Sequence, residues 1–248
     1  RVLKLADPVS EALDGADAVF TEVPMDMGTQ MKLAMQSMLP QGQNLEDVLP
    51  AELYKRLSAL FEKKGIPMMA MGRFKIWAVA VQVALVDHLM ELAAKQPLDQ
   101  HIFLNAQKAG KKVGGLEKPE EQIDVFDSLS REEQIQTLRD SLDDYEEQKD
   151  KGVDAIGKLI EIYLEGDDDK LREKLLEEYD PDNPLEKKLM QRLFTDRNEI
   201  LAERMAKKMK ESPQTSFFFA VGAGHMPGPG GIVDRLRKAG FKVTRVKE

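Results

Sequence analysis

The segment that most constrains this chain is residues 216–246. Ser216-Phe217-Phe218-Phe219-Ala220-Val221-Gly222 is the clearest buried strand in the sequence. It runs into Gly222-Ala223-Gly224-His225-Met226-Pro227-Gly228-Pro229-Gly230-Gly231, a loop by its Gly and Pro content. Residues 232–239 then read as a helix stopped by Gly240, and residues 241–246 as a closing strand. A β-loop-α-β unit with such punctuation belongs to an α/β domain.

The rest of the chain fits that class. Residues 6–15 predict a short helix with Asp7 as N-cap, followed by a strand over 18–23. Helical spacing is expected over 25–38, 50–64, 74–94 and 98–109, with a short strand at 66–70. Strand character returns at 112–117, and Pro119 suits the start of the next helix. Residues 130–211 are again helical and highly charged. The methionine clusters read as core filling. The acidic runs Asp143-Asp144 and Asp167-Asp168-Asp169 lack the alternating ligands of a Ca²⁺ loop and read as solvated faces and loops.

Composition narrows the chemistry. The 248 residues suit one large domain and carry a net charge of −8, which argues against a nucleic-acid binder. No Cys is present, so disulfides, thiol nucleophiles and thiolate metal sites are excluded, and only three His remain. The longest apolar stretch, 76–86, is interrupted by Gln82 and is too short for a membrane span. No signal peptide is seen. Arg1 opens directly in an amphipathic stretch, as if in mid-domain, so a leader, an anchor or a first strand is expected upstream.

Three of the expected strands lead to residues capable of chemistry: Glu22, Glu117 and His225. If the strands lie side by side and parallel, these groups converge at their carboxyl ends, where open α/β sheets bind ligands. Two carboxylates and an imidazole suit a divalent metal with an open position for water. They equally suit metal-free acid/base hydrolysis. His88 and His101 lie in helical patterns and read as packed or surface residues. Gly222 and Gly224 are expected to turn the backbone sharply and let it approach a ligand. The helix opening near Gly231 offers N–H groups to an anion. A dinucleotide fingerprint would need Gly at position 227, which is Pro227.

Gly222-Ala223-Gly224-His225-Met226-Pro227-Gly228, with the short helix after it, resembles the C-terminal signature of the TraB/GumN/Tiki family. Residues 16–22, ending in Glu22, resemble its early segment. Gly115-Leu116-Glu117 through Gln122 resemble its central segment, with Leu98-Asp99 upstream. Arg197-Asn198 resembles its Arg-Asn pair. The resemblance implies an α/β fold of the erythromycin-esterase and ChaN-like type. Two β-α units would form the central sheet, with large helical insertions at about 25–110 and 128–212 of a single domain. It implies a site built from two Gly-x-x-His motifs, the first on a strand upstream of Arg1. It implies a divalent metal (Mn, Co or Zn) and a peptidase acting on peptide or protein substrates. A homodimer and a periplasmic, secreted or membrane-anchored setting fit the same resemblance. On this reading Glu22 and His225 hold or adjoin the metal, and Glu117 is a general base or a supporting carboxylate. Arg197 stabilises an oxyanion or binds a substrate carboxylate, and Gly222, Gly224 and Asn198 line the substrate. Two rivals remain. One is a non-catalytic peptide-binding module whose groove is formed by the Met-rich residues 25–38 and the helix near Trp77. The other is metal-free ester hydrolysis.

Overall fold

The computed structural model describes residues 5–177 and 179–246. The chain forms two compact units, one from residues 1–29, 96–121 and 161–248, the other from 30–95 and 122–160.

The first unit carries the sheet. Strands β1 (Ala18–Thr21), β2 (Lys112–Gly115) and β3 (Phe217–Ala220) are all parallel in the order β2-β1-β3. Central β1 is buried at all four positions. Its side chains alternate between two apolar layers, as a strand period of two requires. Ala18 and Phe20 pack with Leu201, Ala202, Met205 and Ile232 of helices Arg197–Glu211 and Ile232–Lys238. Val19 faces the other way, onto Ile102 and Ala106 of helix Leu98–Lys108. Gly114 of β2 lies beside the Phe20 ring, and a Cβ there would stand 2.7 Å from Cε1.

Several expectations change in this unit. The Phe-rich strand β3 is an edge strand and only half-buried, so the buried centre is β1. Residues 241–246 pair with no strand; after Gly240 (φ +91°) the chain leaves the sheet largely exposed, with Val246 at 73%. Helix Asp7–Gly15 has Ala6 at its N-cap, and Asp7 lies inside its first turn. Its C-terminus is held by Lys111, whose Nζ donates to the carbonyls of Leu13 (3.0 Å), Asp14 (2.7 Å) and Ala16 (2.7 Å).

The second unit is helical. Leu53, Leu57, Leu60 and Phe61 of helix Ala51–Lys63 share one core with Leu138 and Leu142 of helix Arg131–Asp150 and with Val79 and Val83 of helix Ile76–Ala84. Ser130 and Glu133 close a capping box on the long helix. The short strand expected at 66–70 is a helical turn, Met68–Met71, entered through Pro67 at its N-cap. The single helix expected over 74–94 is three pieces: Ile76–Ala84, Val86–His88 and Leu89–Ala94. At the break, Asp87 pairs with Lys64 and with Lys149 (2.7 Å). Trp77 is not groove-lining. It is 9% exposed, stacks on Phe126 and donates its indole N–H to Asp127 at 3.0 Å.

The methionines of helix Met27–Gln36 are not core filling: Met27, Met31 and Met35 are 79%, 60% and 72% exposed. Among the described residues no single helix is long and apolar enough to cross a membrane.

Candidate functional site

Because the three strands run parallel in adjacent register, their carboxyl ends lie side by side. The chain continues in step past the ladder, with Glu117 N–H donating to the Glu22 carbonyl at 2.6 Å. The expected convergence of Glu22, Glu117 and His225 is what the structure has, and Arg197 from the first turn of helix Arg197–Glu211 joins them.

Arg197 clamps both carboxylates. Its Nε and Nη2 meet Glu117 Oε1 and Oε2 at 2.9 and 2.7 Å, and Nη2 also donates to Glu22 Oε2 at 2.6 Å. The side chains of Arg197 and Glu117 are 12% and 1% exposed. Charges so placed need partners, and the two-pronged guanidinium–carboxylate geometry supplies them. Nη1 of Arg197 has no hydrogen-bond partner among the described residues.

His225 is held from its other side. Asn198 Oδ1 lies 2.7 Å from His225 Nδ1, while Asn198 Nδ2 donates to the Gly230 carbonyl at 3.2 Å. That second bond orients the amide, so Oδ1 accepts and Nδ1 carries the proton. Nε2 then presents a lone pair, 3.9 Å from Glu22 Oε1. Glu22 Oε1 also accepts the Gly222 N–H at 2.6 Å.

The electrostatics agree with this assignment. Burial pushes the His225 imidazole below its ordinary value, and the Arg197 charge adds to it, against the pull of Glu22 and Glu117. For Glu22, burial alone acts to raise the pKa. The Gly222 N–H and the Arg197 guanidinium outweigh it and hold the carboxyl below the usual carboxylate range. Near neutral pH the cluster therefore pairs two carboxylates with one guanidinium beside a neutral imidazole, an excess of one negative charge.

The glycines act differently from expectation. Positive φ occurs at Gly228 and Gly230 (both +77°), not at Gly222 or Gly224. Gly222 is small for contact: a Cβ there would stand 3.1 Å from Glu22 Oε1 and 3.5 Å from His225 Cδ2. At Gly224 it would meet Leu175 Cδ1 at 3.0 Å and Phe194 Cε1 at 3.1 Å. At the helix opening near Gly231, the Gly231 N–H donates to the Gly228 carbonyl at 3.1 Å and the Gly230 N–H to Asp234 Oδ2 at 2.8 Å.

Phe194 escaped the sequence reading. Its ring lies 5.4 Å from that of His225, on the π-helical turn Gln191–Asp196 that leads into Arg197. Its signal was position: it precedes Arg197 and Asn198 by three and four residues, the spacing of one helix face. A π-turn has no comparable signature. Neither remaining histidine joins the cluster. His101 bonds Asn105 at 2.8 Å, and His88 stands 3.4 Å from Asp154.

Among the described residues no group of three or more His, Asp or Glu is arranged to hold a metal ion. His225 Nε2 and Glu22 Oε1 stand 3.9 Å apart. Two ligands at about 2.1 Å on a tetrahedral metal stand roughly 3.4 Å apart. The donor types, the Asn198 bond that fixes the tautomer and the excess negative charge all fit one side of a divalent-metal site.

The sequence model of the TraB/PrgY/gumN family matches residues 1–245. The chain is 26% identical over 275 residues to Metalloprotease TIKI2 of Xenopus tropicalis, covering 94% of this chain and 53% of that protein. It is 26% identical over 281 residues to Metalloprotease TIKI1 of Homo sapiens, covering 96% and 56%. An uncharacterized protein of Treponema pallidum is 24% identical over 250 residues, covering 96% and 73%. The chain thus spans about half the length of the first curated relatives it matches. No solved structure matches it. Matched from its first residue to the strand-loop-helix unit at its end, the chain belongs to the TraB/PrgY/gumN family.

Proposed function

We propose that this chain is a divalent-metal-dependent hydrolase of the Tiki kind that cleaves peptide bonds in peptide or protein substrates. The observation that carries it is the pair formed by His225 Nε2 and Glu22 Oε1, facing each other across 3.9 Å at the carboxyl end of a parallel sheet. The metalloprotease names of its relatives point the same way. His225 and Glu22 would hold Mn²⁺, Co²⁺ or Zn²⁺ and share it with donors outside the pair. When bound, such an ion supplies Lewis acidity that polarises a carbonyl and acidifies a water.

The other roles follow from the hydrogen bonds. Glu117 spends its oxygens on Arg197, so it acts as the carboxylate that orients Arg197 rather than as a general base. Arg197 keeps Nη1 for a carbonyl oxygen on which charge develops. Asn198 positions the imidazole, and Gly222 lets Glu22 and His225 approach. The erythromycin-esterase and ChaN-like fold type belongs to this reading, supported by the parallel sheet and the strand-loop-helix unit at one edge. So does a periplasmic, secreted or membrane-anchored setting, by family resemblance.

The test is calorimetric titration with each ion, and mass-spectrometric detection of peptide cleavage, for this chain and its His225→Ala form. The expected result is binding of at least one ion with metal-dependent cleavage, both reduced at least 100-fold in the variant. Absence of both in the parent chain overturns the proposal. A second reading, a peptide-binding module without catalysis, has one observation of its own: Met31 and Met35 stand exposed one helical turn apart. It predicts peptide affinity that neither chelator nor His225→Ala changes.

A further inference from the structure

We infer that the cavity beside His225 is a specificity pocket for an apolar side chain next to a carboxylate, with Arg172 reading the carboxylate. The inference rests on the hydrolase reading for its consequence in catalysis, and on the cavity alone for its binding chemistry. The cavity has a volume of about 190 Å³. A cavity of roughly 150 Å³ already admits a benzene ring, so a Leu or Phe side chain fits.

Its lining includes the apolar side chains of Leu175, Leu176, Met190 and Phe194. It is continuous with the candidate site through three residues that touch both. Asn198 lines it and bonds His225 Nδ1, Phe194 lines it and packs on the His225 ring, and Gly224 lines it one residue before His225. A side chain at Gly224 would press on Leu175 and Phe194, narrowing the space. Glycine at 224 therefore keeps the pocket open, a purpose independent of any turn.

The charge pattern selects the occupant. Arg172 lies at the pocket against Gly228, where a Cβ would come within 2.5 Å of its Nε. Gly228 thus leaves the space that the Arg172 side chain occupies against the loop. Arg172 has no hydrogen bond or ion pair among the described residues. Among the described residues no acidic side chain lines the cavity. An exposed guanidinium beside an apolar pocket whose described lining holds no carboxylate suits a ligand that brings one. The carboxylate is either the free C-terminus of the peptide or an adjacent Asp or Glu side chain.

The experiment uses this chain, its Arg172→Met form and its Met190→Trp form. The probes are peptides with Leu, Phe or Gly at a varied position, ending in a free carboxylate, in an amide, or in an Asp amide. Binding is read by fluorescence on the His225→Ala background and cleavage as kcat/KM on the parent background. The expected result is at least a tenfold preference for Leu or Phe over Gly, abolished by Met190→Trp. Arg172→Met should lower affinity for carboxylate-bearing probes about tenfold and leave amide probes within twofold. Free-acid and Asp-amide probes separate the two carboxylate sources. Equal binding of Leu and Gly probes, or equal loss for acid and amide probes in Arg172→Met, overturns the inference. Selective binding without cleavage under any metal leaves the pocket standing and removes the hydrolase reading instead.

Discussion

Asn198 Oδ1 accepts the Nδ1 proton of His225 at 2.7 Å, and this bond decides which imidazole nitrogen faces Glu22. Two residues 27 apart in sequence thereby set the chemistry of the site, because the tautomer of a buried histidine follows the partner of its other nitrogen.

Replacing Asn198 by Leu removes that acceptor from a residue that is 5% exposed. The buried Nδ1–H then lacks a partner, which costs about 1–3 kcal/mol. The free energy of unfolding in urea should fall by that amount, and metal affinity should drop about 10- to 100-fold. Asn198→Asp keeps an acceptor and should recover most of the affinity. Equal losses in Leu and Asp variants would sink the positioning role.

Arg197→Met strands the Glu117 carboxylate, whose side chain is 1% exposed. Leaving a buried charge unpaired costs about 3–5 kcal/mol. The double variant Arg197→Met, Glu117→Leu should regain most of that stability while remaining inactive. Denaturation of the four forms in a double-mutant cycle measures the coupling. Additive losses would mean the pair is not a unit.

Glu121 answers to pH. Its ion pair with Arg204 (2.7 Å), followed by the Lys118 N–H, lowers its pKa to about 2. The unfolded value is about 4.3. A depressed folded pKa means the stabilisation is full above about pH 4.5 and fades as pH falls toward 2. The pair is partly exposed, so it contributes only about 0.5 kcal/mol. Glu121→Gln should therefore be less stable than the parent at pH 7, with the gap narrowing as pH falls from about 4.5 toward 2. A gap that widens on acidification contradicts this.

Gly231 and Gly15 should respond oppositely to alanine. At Gly231 a Cβ would lie 2.5 Å from the Pro227 carbonyl oxygen and 2.6 Å from that of Met226. Backbone atoms cannot yield cheaply, so Gly231→Ala should cost at least about 2 kcal/mol and disturb the loop that carries His225. Gly15 ends a helix and has nothing within 4 Å of the added carbon. Gly15→Ala should be neutral or gain up to about 1 kcal/mol. Comparison of thermal unfolding for the two variants checks both signs.

Local patterns on their own determined the strands at 18 and 112, the helices that pack on them and the strand-loop-helix unit at 217–238, because their apolar spacing and Gly/Pro punctuation are short-range properties. They predicted that Glu22, Glu117 and His225 meet only if the three strands lie side by side and parallel, and the sheet meets that condition. The same patterns misplaced Ile66-Pro67-Met68-Met69-Ala70, where an apolar run of strand length closes as a helical turn. They likewise overstated the burial of Phe217 and Phe219, because an edge and a centre strand carry the same residues and differ only in their neighbours. Only the tertiary structure decided that Glu117 is held by Arg197, that Asn198 sets the His225 tautomer and that Phe194 and Arg172 shape a pocket beside it. Those contacts join residues up to 80 positions apart, and their distances are set by how helices seat on the sheet.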